Sequence, residues 1–141
     1  MLEFLLAFAG SFCAGVLFNV KGRNLVWTGF SGMVGWMVYI MLSKLTGQAF
    51  FSIFGGAVAV GLFSEIMARI LRQPATVFSI PGIFPLVPGI AAYEAIQYLM
   101  SNKIQDAGGK MAETLAGAGA IAFGILLVTA LFRATSGKKS G

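Results

Sequence analysis

Two carboxylates, Glu65 and Glu94, lie in stretches that are otherwise apolar, and Pro81, Pro85 and Pro88 fall between them within "SIPGIFPLVPGIAAYEA", residues 79–95. An acid in hydrocarbon is costly, so it is protonated, paired or facing water. Desolvation raises a carboxyl pKa, which makes Glu94 a candidate proton carrier. Glu65 is followed by Arg69 at i+4, so an ion pair within one helix is its plainest reading. Each proline removes a backbone donor and clashes with the preceding turn, so the segment cannot be one uninterrupted helix. Broken backbone is tolerated at membrane depth only where it is buried in protein or lines a wet cavity. Half-helix ends near the midplane hold carboxylates and other anions on exposed amides. The candidate substrate or proton site is therefore Pro81, Gly82, Pro85, Pro88 and Gly89, with Thr76, Ser79, Tyr93, Glu94, Glu65 and Arg69 around it. Gln73 is a weaker candidate. The competing reading is a proline kink that only shapes packing, with the polar side chains satisfying the freed backbone groups.

The elements that must carry these residues are membrane helices. The chain has 141 residues, 57% hydrophobic and only 11% charged, against roughly 25% charged in soluble domains. Nearly charge-free stretches cover about 4–20, 25–43, 49–68, 74–101 and 113–132, and a membrane helix needs about 20 apolar residues. The expectation is a single all-α transmembrane domain, 1–141, of five spans. The fourth is broken, as a re-entrant or half-helical piece with turns near Pro81-Gly82 and Pro88-Gly89. Between the last two spans, "SNKIQDAGGKMAE" (101–113) is expected to be a solvated loop that turns at Gly108-Gly109. Small residues recur at four-residue spacing: Ser11/Gly15, Ser31/Gly35, Gly55/Ala59 and Ala112/Ala116/Ala120/Gly124. Such stripes let helices approach closely.

Alternating loops put Lys21, Arg23, Arg69, Arg72, Arg133, Lys138 and Lys139 on one side and Lys44, Lys103 and Lys110 on the other. The positive-inside rule then places the N-terminus outside and the C-terminal "GKKSG" in the cytoplasm. The start, "MLEFLLAFAG", lacks a basic region and reads as a first span rather than a signal peptide. The net charge of +5 is spread between spans, not over a basic face, so no nucleic-acid partner is expected. Histidine is absent and Cys13 is alone. That excludes an internal disulfide and most metal, haem and nucleophile constellations, so neither a metal, a cofactor nor an enzyme is expected. Cys13 reads as a small buried hydrophobe.

The stretches "GRNLVWTGFSGMVGWMVY" (22–39) and "SEIMARILRQPATVFSIPGIFPLVPG" (64–89) resemble the second half of the threonine/serine exporter family. The resemblance rests on Glu65, Arg69, Pro74, Ala75, Thr76, Pro81, Gly82, Pro85, Pro88 and Gly89 and covers nearly the whole chain. It implies proton-motive-force-driven export of small carboxylate-bearing metabolites, threonine and serine or succinate-type dicarboxylates, from a prokaryotic inner membrane. It also implies a partner, the larger first-half subunit of a two-component exporter, beside membrane lipids and the small-molecule substrate. Two five-span halves in opposite orientation would give the inverted repeat common in transporters. The alternatives are a homo-oligomeric carrier and a non-transporting scaffold, although a scaffold has no need of the Pro-Gly run.

Overall fold

The computed structural model describes residues 1–136; Lys138 and Lys139, counted above, lie outside the described residues. The described residues form six α-helices and one 3-10 turn: α1 Leu2–Leu17, α2 Asn24–Thr46, α3 Ala49–Leu71, α4 Thr76–Gly82, the turn Phe84–Leu86, α5 Gly89–Met100 and α6 Ile104–Ser136. No strand occurs among the described residues.

Local chemistry sets the helix ends. Gly47 takes the left-handed conformation, φ 64°, and its N–H caps α2 on the Ser43 carbonyl. Glycine is the usual residue there because it has no Cβ to clash. Arg72 closes α3 the same way, at φ 54°, and Pro74 just beyond prevents continuation.

Among the described residues, three helices, of 23, 23 and 33 residues, are long and apolar enough to cross a membrane: α2, α3 and α6. Counting α4, the 3-10 turn and α5 as one bent span makes four. Helix α1 has 16 residues, about 24 Å at the helical rise, short of the roughly 30 Å hydrocarbon core. The expected break is present, but it runs from Ile83 to Pro88; Pro81 and Gly82, expected to turn, are the last residues of α4, where Pro81 is accommodated near the helix end. The two parts of the fourth segment meet at 52°.

The segment 101–113 departs from expectation. It turns only at Ser101–Lys103 and then runs helically through Gly108 and Gly109 into α6. Neither glycine needs a positive φ. The good helix formers around them, Ala107, Lys110, Met111, Ala112 and Glu113, outweigh a cost of about 1 kcal/mol per glycine.

Helices α1, α2, α3, α6 and α5 pack each on the next, and α4 lies across α2 and α3. Small residues make the close approaches. A Cβ on Gly56 would come 3.0 Å from the Gly35 carbonyl, and one on Gly124 would come 2.9 Å from the Ala57 Cβ. Ser11, Gly15, Ser31 and Gly35 are buried as their spacing predicts, but Ala112 and Ala116 are exposed. On α3 the stripe Ser52, Gly56 and Val60 is buried, whereas Gly55 and Ala59 are half-buried, Gly55 against Leu42 of α2. Cys13 is exposed rather than buried, on the side of α1 turned away from α2's partners Ser11, Ala14 and Gly15.

Candidate functional site

The break divides the polar residues between two clefts at opposite ends of α3 and α6. From Ile53 to Glu65 along α3 is roughly 18 Å at the helical rise, and each residue lines a different cleft.

The first cleft, about 500 Å³, lies between the C-terminal ends of α3 and α6 and the start of α4. Glu65, Arg69, Gln73, Thr76 and Ser79 line it, joined from α6 by Thr129, Phe132, Arg133 and Ser136. The expected Glu65–Arg69 ion pair does not form among the described residues. Arg69 Nη2 instead donates to the Phe132 carbonyl at 3.3 Å and to Ser136 Oγ at 2.8 Å. Its guanidinium also lies over the Phe132 ring, 4.7 Å from the centroid. A cation at the negative end of α6 is favourably placed, and those contacts draw Arg69 away from its helical neighbour.

The second cleft, about 350 Å³, lies where the 3-10 turn and α5 open away from α2 and α3. Pro85, Pro88, Gly89 and Glu94 line it with Trp36, Tyr39, Lys110 and Glu113. Lys110 Nζ sits 2.8 Å from Glu94 Oε2 and 3.1 Å from Glu113 Oε2. Trp36 and Tyr39 stack with ring centroids 4.9 Å apart. The Trp36 indole N–H is buried without a hydrogen-bond partner. Glu94 is thus the paired acid among the three states open to it, and its side chain keeps 37% exposure.

Between the clefts the chain is packed tight. Phe78, Ser79, Pro81, Gly82 and Leu86 are buried. Gly82 lies against Ser31, whose hydroxyl a Cβ there would strike. Ser31 Oγ and Ser64 Oγ are 3.4 Å apart and fully buried. This leaves a small polar spot beneath the break, where larger residues would not fit.

A family model described as threonine/serine exporter, ThrE, matches residues 3–131. The chain belongs to the threonine/serine exporter family. This is the family anticipated from residues 22–39 and 64–89. A probable threonine/serine exporter of Mycobacterium tuberculosis (strain ATCC 25618 / H37Rv) is 26% identical over 131 residues, which cover 89% of this chain and 25% of that protein. The chain therefore spans about a quarter of the length of this relative. No solved structure matches.

In this member of the exporter family the expected site residues do not converge on one point. Glu65, Arg69, Thr76 and Ser79 line the first cleft, and Pro85, Pro88, Gly89 and Glu94 the second. Pro81 and Gly82 form the packed partition, and Tyr93 is 66% exposed and lines neither cleft. Sequence reading missed Lys110 and Glu113 because it began the last span at residue 113, whereas α6 starts at Ile104. Extended backwards, that helix places the two at i, i+3 on one face, a visible signal once the glycines are allowed to be helical. Arg133 and Thr129 were missed as site residues because only the fold brings the end of α6 to α3.

Proposed function

We propose that this chain is one half of a proton-motive-force-driven secondary exporter of small carboxylate-bearing metabolites, threonine and serine foremost, in a prokaryotic cell membrane. The observation that carries the reading is the interrupted segment Thr76–Met100, bent by 52°, with a polar cleft on either side of a buried partition. Alternating access needs that arrangement: two approaches to one place, separated by a short piece of chain that can shift.

In this reading the chain crosses the membrane five times, α1 included, with its N-terminus outside. The Arg69 cleft then opens to the cytoplasm, where Arg69 and Arg133 attract a substrate carboxylate. The Lys110 cleft opens outside, and Glu94 is the carboxylate through which protons couple. A larger companion half supplies the remaining walls. Its existence as a partner is supported by the relative whose length extends far beyond the matched quarter. Irregular backbone between Gly82 and Gly89 also needs protein cover at membrane depth, and Phe84 and Val87 within it are exposed.

The test is efflux of labelled threonine and succinate from cells expressing the chain with and without its companion half. Efflux that needs both is the expected result. Efflux by the chain alone would make it a homo-oligomeric carrier, and efflux in neither case would leave a scaffold.

A further inference from the structure

The two clefts carry opposite charge excesses. Arg69 and Arg133 outnumber Glu65 in one, whereas Glu94 and Glu113 outnumber Lys110 in the other. An anion-exporting site has no evident use for a net negative cleft, and the surplus carboxylate calls for a cationic group.

The hydrogen-bonding capacity left over is specific. Lys110 has three N–H donors and spends two, one on each Oε2 of Glu94 and Glu113. Both Oε1 atoms make no ion pair among the described residues. Helix α5 starts at the cleft wall, and the N–H groups of Ile90 and Ala91 have no carbonyl one turn back within the helix and no turn or cap hydrogen bond. Trp36, with its unpartnered indole N–H, borders the same space. So the cleft offers both spare acceptors and spare donors, in a volume of about 350 Å³ that suits a small metabolite.

We infer that Lys110 and Glu113, with Glu94, are specificity-determining residues that make this cleft select zwitterionic amino acids over dicarboxylates. The inference rests on the exporter reading above. The substrate ammonium takes the free oxygens of Glu94 and Glu113, and its carboxylate takes the third Lys110 N–H and the first-turn amides of α5. A dicarboxylate would set its second carboxylate against Glu94 and Glu113, a like-charge contact with no partner, so rejection is built in along with recognition.

The experiment uses membrane vesicles containing the full chain with its companion half and reads labelled-threonine transport against four competitors. Unlabelled threonine has both charges, N-acetylthreonine lacks the ammonium, threonine methyl ester lacks the carboxylate, and succinate is a dianion. Wild type should favour threonine over N-acetylthreonine and succinate by at least about tenfold, the scale of one charge-assisted hydrogen bond. Glu113→Gln should narrow the gap between threonine and N-acetylthreonine by about tenfold. Lys110→Met should narrow the gap to the methyl ester, and Lys110→Arg should restore it.

Lys110 also ties α5 to α6, so its Met variant can lose protein as well as selectivity. Glu113 sits on the rim with half its side chain exposed, so Glu113→Gln decides the matter independently. Threonine transport with an unchanged competitor ratio in Glu113→Gln overturns this inference and leaves the exporter reading standing. No threonine transport by the wild-type pair contradicts the exporter reading, and the inference falls with it.

Discussion

Lys110 of α6 reaches Glu94 of α5 at 2.8 Å and thereby fixes the acid beyond the break to the helix that forms the far wall of its cleft. The pair explains how a carboxylate is kept where hydropathy alone would forbid it. It also makes Glu94 a connecting residue between α5 and α6.

Replacing Glu94 by Gln removes the titratable group and leaves Lys110 an amide oxygen as acceptor, so the link between α5 and α6 persists. Export should fall by at least about tenfold, as expected for loss of a charge-assisted contact, while the amount of protein in the membrane stays near wild type. Efflux at the wild-type rate, with equal protein present, would remove Glu94 from the mechanism.

Pro88 caps the start of α5, and its ring covers Gly117 of α6, where a Cβ would come 3.0 Å from Pro88 Cγ. Alanine there restores a backbone donor and lets α5 extend toward the 3-10 turn. Pro88→Ala should therefore slow transport several-fold with little loss of protein, read by initial efflux rates. An unchanged rate would assign the prolines to packing alone.

The α3–α6 seam permits a contrast between two glycines of the same helix. A Cβ on Gly124 would come 2.9 Å from the Ala57 Cβ and 3.1 Å from the Phe54 carbonyl oxygen, whereas nothing lies within 4 Å of a Cβ on Gly119. Gly124→Leu must push the helices apart and should cost about 1–3 kcal/mol or more, seen as a lower melting temperature in detergent. Gly119→Ala should be neutral or slightly stabilising, since it improves helix propensity by about 1 kcal/mol. Equal effects of the two substitutions would contradict the packing described.

The break was legible in the sequence because proline chemistry is local: Pro85 and Pro88 fall where the helix stops, whereas Pro81 is held within the last turn of α4. The partners of the acids were not legible. Arg69 finds Phe132 and Ser136 more than sixty positions away, and no spacing rule announces such a contact. Gly108 and Gly109 read as a turn because glycine permits one, but permission is not requirement, and both are helical. Small-residue spacing located the Ser11/Gly15 and Ser31/Gly35 faces. On α3 it chose Gly55/Ala59 over the neighbouring stripe of Ser52, Gly56 and Val60, because four-residue spacing marks a face without saying which face meets a partner.

The most direct test of the central claim, that the two clefts flanking the break form the transport path, is substrate protection of single cysteines. In a Cys13→Ala background, Gln73→Cys reports the Arg69 cleft and Lys21→Cys reports an exposed position outside both clefts on the same side of the membrane. Labelling by an impermeant maleimide would be timed in inside-out vesicles that contain the companion half. The account predicts that threonine slows modification at position 73 and leaves position 21 unaffected. Equal rates at position 73 with and without threonine, in vesicles that transport it, would contradict the claim.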